Sequence, residues 1–327
     1  MNNKPQGPDF HRRIYLLAQP KTISDLLVRM LILENQPHLH WNASGLSTFT
    51  RNLEPLIGLE HQPLEEWRAD EKDQIRDIFQ QSFSARDCFL RDGEAQGKIV
   101  FAKDHCNLMW NPAAGDPYFT VGPPGEVVQG GATVKNPTVL SDSYLGSWLP
   151  IFLITHPARV FPSFCRGLLD LQAQTNNCQE ERKIGNYFRA QMTFSHTRRL
   201  YDWYVDYFRK KEDSARPIVV DSSDLINDPR VIFAITKELG LDQSKVQFSW
   251  DPKEEETTDV MKRVFLRTIK TSHGVQKDKA VVNQDLHDQE QKWKEEFAKE
   301  LANLISSCVR AAMPDYEYLR GKRLCAF

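Results

Sequence analysis

The run Ile14-Tyr15-Leu16-Leu17-Ala18-Gln19-Pro20-Lys21-Thr22-Ile23-Ser24-Asp25, continued by the apolar residues 26–33, decides the fold. Ile14 to Ala18 is unbroken apolar sequence between Arg13 and Pro20, the pattern of a parallel strand buried on both faces. Pro20 stops the strand. Ser24 or Asp25 can cap a helix that is apolar on nearly every side, so that helix belongs deep against a sheet. Lys21, Thr22, Ser24 and Asp25 occupy the turn between the two. Free backbone N–H groups and a helix dipole favour an anion at such a turn, and an ammonium and hydroxyls complete the cradle. The same residues also suit an ordinary strand-to-helix turn with a solvated lysine. The turn is not a GxxxxGK[ST] motif, because no glycine occurs from Gln19 to Asp25, which disfavours ATP or GTP hydrolysis.

The same alternation continues outward. Leu64, Trp67, Ile75, Ile78, Phe79, Phe83, Phe89 and Leu90 recur at helical spacing, predicting one or two amphipathic helices over a sheet face. Ile99 to Ala102 reads as a second buried strand, delivering Lys103, Asp104 and His105 at its carboxyl end. Ile151 to Ile154 is a third, with Pro157 as the first residue of a helix reaching Leu171. An aromatic helix is expected across Tyr187 to Phe208. Arg216 to Asp221 makes a fourth strand, and Asp228-Pro229 opens a helix that stops at Gly240. Trp293 to Ala312 reads as one final helix. Four buried strands alternating with helices predict an α/β fold, a doubly wound parallel sheet with helices on both faces, in one domain spanning 1–327. Its ligands belong at the carboxyl ends of the strands.

Two segments stand apart. Residues 1–11 read as a loose N-terminal arm. Residues 111–150 hold six prolines and six glycines among Tyr118, Phe119 and Trp148, with Trp110 just before them. That composition reads as a lid or substrate-binding insertion containing a short hairpin. Its aromatics are expected to face the strand ends bearing Lys21 and His105 and to select an apolar acceptor.

The 42 Lys+Arg against 44 Asp+Glu leave a net charge of −2, with no cationic excess for a nucleic-acid backbone or an anionic membrane. At 40% hydrophobic and 26% charged, the chain is an ordinary globular one. Its apolar stretches fall short of the roughly 18 residues of a membrane span, and the first 13 residues are too polar for a secretory signal, so a cytoplasmic location is expected. The six cysteines form no CxxC, which suggests neither disulfides nor zinc. His38-x-His40 lacks further ligands at usable spacing and reads as structural, and no metal site is expected. The sequence sets no oligomeric state.

Five motifs now stand in order: Pro20 to Ser24, Lys103-Asp104-His105, Thr155 to Ser163, Val220 to Leu225 with Asp228-Pro229, and Ala311 to Tyr316. In order and spacing they resemble the sulfotransferase superfamily, and most closely the fungal sulfotransferase-like P-loop proteins. The resemblance implies 3′-phosphoadenosine-5′-phosphosulfate as cofactor, with Lys21, Thr22, Ser24 and Asp25 around the phosphosulfate. It implies His105 as the base that takes a hydroxyl proton, with Lys21 and Lys103 offsetting charge. Ser163 would grip the 3′-phosphate, helped by Arg159 or Arg166 reaching in, since Thr155 stands where the family has an arginine. Ile23 stands where many members have glycine. A left-handed backbone there would cost a β-branched residue about 1–2 kcal/mol, so the loop is expected to wrap its anion differently. The function implied is sulfuryl transfer to a hydroxyl of a small apolar metabolite. The alternative on the same fold is a cofactor-independent cyclase, lyase or isomerase of secondary metabolism.

Overall fold

Alternate residues of each central strand enter different hydrophobic cores, which is what a sheet covered on both faces requires. The structure, a computed structural model, describes residues 13–41, 49, 59, 62–113, 117–123, 134–175, 189, 191–252, 260–277 and 285–325. The expected arm at 1–11 lies outside them, as do Tyr187 and Phe188. Strands β1 (Arg13–Ala18), β2 (Leu39–Trp41), β3 (Ile99–His105), β4 (Leu149–Ile154) and β5 (Ile218–Asp221) form one parallel sheet in the order β2-β3-β1-β4-β5. Tyr15 and Leu17 point into one core, shared with α2 (Ala69–Ala95), α4 (Pro157–Thr175), α5 (Ser195–Lys210) and α10 (Lys299–Arg320). Ile14, Leu16 and Ala18 point into the other, shared with α1 (Ser24–Leu31) and α7 (Pro229–Glu238). The doubly wound parallel sheet is therefore present.

Three details differ from the sequence reading. A fifth strand, β2, pairs with β3 through Leu39 and Ile99; at three residues it is too short to show a period. Its His40 ring lies 4.4 Å from Phe89 and over Gly93, whose added Cβ would come within 2.8 Å of the imidazole, so this histidine is a packing residue. The last helix is two, α9 (Leu286–Glu296) and α10, broken where Phe297 turns extended (φ −110°, ψ 156°). The third detail concerns 111–150. β3 ends at the carboxyl edge of the sheet and β4 begins at the amino edge, so a parallel pair forces the intervening chain back across one face. It does so by isolated pairings of Trp110 with Thr138 and of Val121 with Leu140, then by the five-residue α3 (Asp142–Gly146). The expected hairpin is absent among the described residues.

That route corrects the expected orientation of Trp148. Trp148 reaches the amino edge and packs on Tyr15 at 5.2 Å. Phe119 packs on Trp67 near the start of α2, and the Tyr118 hydroxyl donates to Asp73 at 2.6 Å. Those contacts lie on the carboxyl side of the sheet, since α2 runs antiparallel to β3 with Arg86 beside Asp104 and Gly93 beside Val100, and Trp110 follows directly after the turn that ends β3.

In the strand order, β3 lies on one side of β1 and β4 on the other. Ala18 lies opposite His105 and Leu153 at once. The crevice beyond Ala18 is the topological switch point, the place where open α/β sheets bind ligands.

Candidate functional site

The turn after β1 fills this crevice. Lys21 (φ 67°) and Ile23 (φ 58°) both adopt the left-handed conformation, bracketing Thr22. Alternation of hand turns successive N–H groups to one side, forming an anion-binding concavity. Among the described residues the N–H groups of Lys21, Ile23, Ser24 and Asp25 meet no protein acceptor, and neither does the Ser24 hydroxyl. Ile23 adopts the left-handed backbone despite its β-branched side chain. Its cost, about 1–2 kcal/mol, is offset by packing of the half-buried side chain on the core beneath α1. Thr22 is fully buried, and its hydroxyl donates to the Gln19 carbonyl at 2.7 Å, so it shapes the turn from inside. The buried Gln19 amide in turn donates to the Thr193 carbonyl and to Thr197 Oγ1, tying the turn to the start of α5.

Lys21 is held by residues far along the chain. Its Nζ donates to the carbonyl of Phe265, on α8 (Val260–Thr271), at 3.3 Å and lies 4.5 Å from the centroid of that ring, a cation–π contact. Gly167 makes the room, since an added Cβ would sit 3.0 Å from Lys21 Cε. Burial lowers the lysine's pKa, and the Asp25 carboxylate opposes that shift.

On the β3 side, Lys103 and His105 share a face because they are two residues apart on a strand. Lys103 Nζ is 2.6 Å from Asp25 Oδ1, so the Asp25 side chain is occupied by the lysine and its N–H group is what faces an anion. Asp104 points the other way, into the core, where it accepts from Tyr15 Oη at 2.8 Å and from the Phe49 N–H at 3.3 Å and pairs with the buried Arg86. This network fixes the end of β3 and aims its neighbours at the crevice. The His105 Nδ1 is enclosed by protein and has no hydrogen-bond partner among the described residues. Burial and then Lys103 lower the imidazole pKa from the ordinary 6.5 to about 4, against the opposing pull of Asp25 and a hydrogen bond with the Ala18 backbone. Near neutral pH it is an uncharged ring with an open nitrogen.

The β4 side is different. The Thr155 hydroxyl lies 3.5 Å from the Thr22 carbonyl, at the limit of a hydrogen bond. Arg159 and Ser163, four residues apart, share one face of α4 and are both half-buried. Arg166 pairs with Glu296 instead of reaching the crevice. Asp221 caps the short helix α6 (Ser222–Asn227) and accepts from Tyr316 Oη at 2.7 Å, a structural role.

Lys21, Ser24, Asp25, Lys103 and His105 thus come together around one concavity, with Thr22 beneath it and Arg159 and Ser163 on the adjoining helix. Gln19 and Phe265 escaped the sequence reading because their roles depend on partners distant in the chain. A parallel α/β sheet with an anion-receiving turn at its switch point defines the class of protein. No family model matches the chain. Two curated relatives do: sulfotransferase ppzF of Metarhizium majus (strain ARSEF 297), 32% identical over 335 residues, 96% of this chain and 97% of the relative, and sulfotransferase ppzF of Metarhizium rileyi (strain RCEF 4871), 32% identical over 333 residues, 96% of each. The chain belongs to this family of fungal sulfotransferases. Among solved structures it is similar to the sulfotransferase domain from the curacin biosynthetic pathway, at 12% identity and a TM-score of 0.40, over 90% of this chain and 96% of that one. The sulfotransferase domain of the Synechococcus PCC 7002 olefin synthase matches at 16% identity and a TM-score of 0.38, over 97% of each chain.

Proposed function

We propose that the protein transfers a sulfuryl group from 3′-phosphoadenosine-5′-phosphosulfate to a hydroxyl of a small-molecule metabolite, with His105 as the base. The observation that carries this reading is the uncharged His105 imidazole, its Nδ1 without a protein partner, on a strand end beside a turn with four unengaged N–H groups. The residues fit the phosphosulfate end of the donor: N–H groups, a lysine and a serine hydroxyl suit sulfate and phosphate oxygens. Bound there, the donor supplies a sulfuryl group activated by its bond to phosphate. Lys21 and the N–H groups of Ile23, Ser24 and Asp25 hold and neutralise the anion, and Lys103 adds positive charge from the next strand. His105 Nδ1 accepts the proton of the acceptor hydroxyl, a contribution of about 10²- to 10⁴-fold in rate. Arg159 and Ser163 receive the 3′-phosphate, a weaker grip than an arginine at 155 would give.

Calorimetric titration with 3′,5′-adenosine bisphosphate tests the reading: binding in the micromolar range is expected, and no heat at millimolar ligand overturns it. A second reading, a cofactor-independent cyclase, lyase or isomerase acting on an anionic metabolite, is favoured by Thr155, whose hydroxyl fills the strand end against the Thr22 carbonyl. Thr155→Arg distinguishes the two. Tighter binding of the bisphosphate supports the first, and heat absent in both proteins supports the second.

A further inference from the structure

The turn that follows β3, Cys106–Met109, packs under the first turn of α5, and Cys106 and Thr197 meet across this seam. Both sides of the seam carry polar atoms that the protein leaves unsatisfied. Asn107 is 7% exposed, yet among the described residues neither its Oδ1 nor its Nδ2 has a protein hydrogen-bond partner. On the α5 side, His196 Nδ1 is enclosed and unpartnered, and burial lowers its imidazole pKa to about 4, so that ring is uncharged. His105 Nδ1, two residues before Asn107, is in the same condition. Trp110 closes the seam, its ring 4.0 Å from that of His196 and capped on the indole by the Arg199 guanidinium at 4.6 Å.

A buried polar group without a partner costs about 1–3 kcal/mol, and native proteins carry few of them. Four of the nine such atoms among the described residues lie on three residues at this seam, and a ligand seated there, or bound water in its place, satisfies them. An asparagine amide offers one acceptor and two donors, so its complement is a group that both donates and accepts, such as another amide. Indole and imidazole rings in contact suit a flat ring.

We propose that Asn107, His196 and Trp110 form the acceptor subsite, which takes a planar, uncharged molecule bearing an amide-like donor and acceptor pair remote from the hydroxyl that meets His105. This rests on sulfuryl transfer at His105 and replaces the expected apolar acceptor with a polar planar one. Asn107 and His196 are positioning residues: Asn107 engages the amide-like pair, His196 Nδ1 supplies one further hydrogen bond, and Trp110 stacks on the ring.

Two phenols that differ only opposite the hydroxyl test the subsite: 4-hydroxybenzamide, with a carboxamide, and p-cresol, with a methyl group. By ligand-observed NMR the protein binds the benzamide at least about tenfold more tightly, as two or three neutral hydrogen bonds imply. Asn107→Leu removes that preference while raising the thermal midpoint, because it deletes a buried polar group whose only partner is the ligand. His196→Phe keeps the ring contact with Trp110 and reduces the preference several-fold. Equal binding of the two phenols, a preference that survives both substitutions, or a lowered midpoint for Asn107→Leu would each overturn the proposal. Titration with 3′,5′-adenosine bisphosphate alongside separates the two levels: heat with no phenol preference removes the subsite alone, and a phenol preference with no heat removes sulfuryl transfer alone.

Discussion

The two flanks of β1 are built differently. Toward β3, the turn meets the Lys103 ammonium, which pairs with the turn's own Asp25, and an uncharged imidazole, and the strand bearing both is anchored from behind by the buried Arg86–Asp104 pair. Toward β4, one hydroxyl lies 3.5 Å from the turn, and the charged candidates have moved onto a helix. The difference teaches where this protein invests its polar interactions: they concentrate on the β3 flank, where the proposed reaction places group transfer, and thin out on the β4 flank, to which it assigns the far end of the nucleotide.

The sharpest way to break the contrast is to cut the anchor. Arg86→Met leaves Asp104 buried without its cation and should lower stability by about 3–5 kcal/mol in chemical denaturation, whereas Thr155→Ala should cost under about 1 kcal/mol. Equal costs would erase the asymmetry. Ligand binding comes next. Lys103→Met should weaken 3′,5′-adenosine bisphosphate by about 10- to 100-fold, the value of a charge-assisted hydrogen bond, and Arg159→Met by less. A larger effect at Arg159 would move the anion site to the β4 flank.

Acid should expose the same flank. His105 and His196 have folded pKa values near 4, below the ordinary 6.5. Between those values the unfolded chain binds protons that the folded chain excludes, so stability is full above about pH 6.5 and is lost as pH falls toward 4. Each imidazole contributes a slope of about 1.4 kcal/mol per pH unit at most. His196→Phe should flatten the measured profile. His156, across the switch point, is also lowered by burial, but Glu317 and Asp221 pull it back, and its replacement should flatten the profile less. The smallest effect is expected at Ile23→Gly. Relief of the left-handed backbone, about 1–2 kcal/mol, is opposed by lost packing and a more flexible unfolded chain, so thermal stability should change by less than about 1 kcal/mol.

How much of this was legible in the sequence varies residue by residue. Ile14–Ala18, the Pro20 stop and the apolar helix gave the strand, turn and buried helix in their observed places, because each is written in contiguous residues. Lys103 and His105 were legible as partners through the two-residue period of a strand. β2 was not, since three residues carry no period. The place of Trp148 was not legible either: it follows from β3 and β4 running parallel on either side of β1, a fact of topology that forces the chain back across the sheet. Ile23 read as an obstacle to the left-handed turn, yet packing beneath α1 holds it there.

By itself, then, the amino-acid sequence determined what local chemistry can encode: the order of buried strands and helices, the anion-seeking turn at residues 19–25, and the identity of the lysines and the imidazole at the strand ends. Only the tertiary structure decided which groups meet. Asp25 finds Lys103 at a separation of 78 residues, and Lys21 finds the Phe265 carbonyl at 244. The same packing withholds partners from Asn107 and His196. Propensity and periodicity act over a few residues, whereas the pairing or isolation of a polar side chain depends on which surfaces the folded sheet and its helices press together.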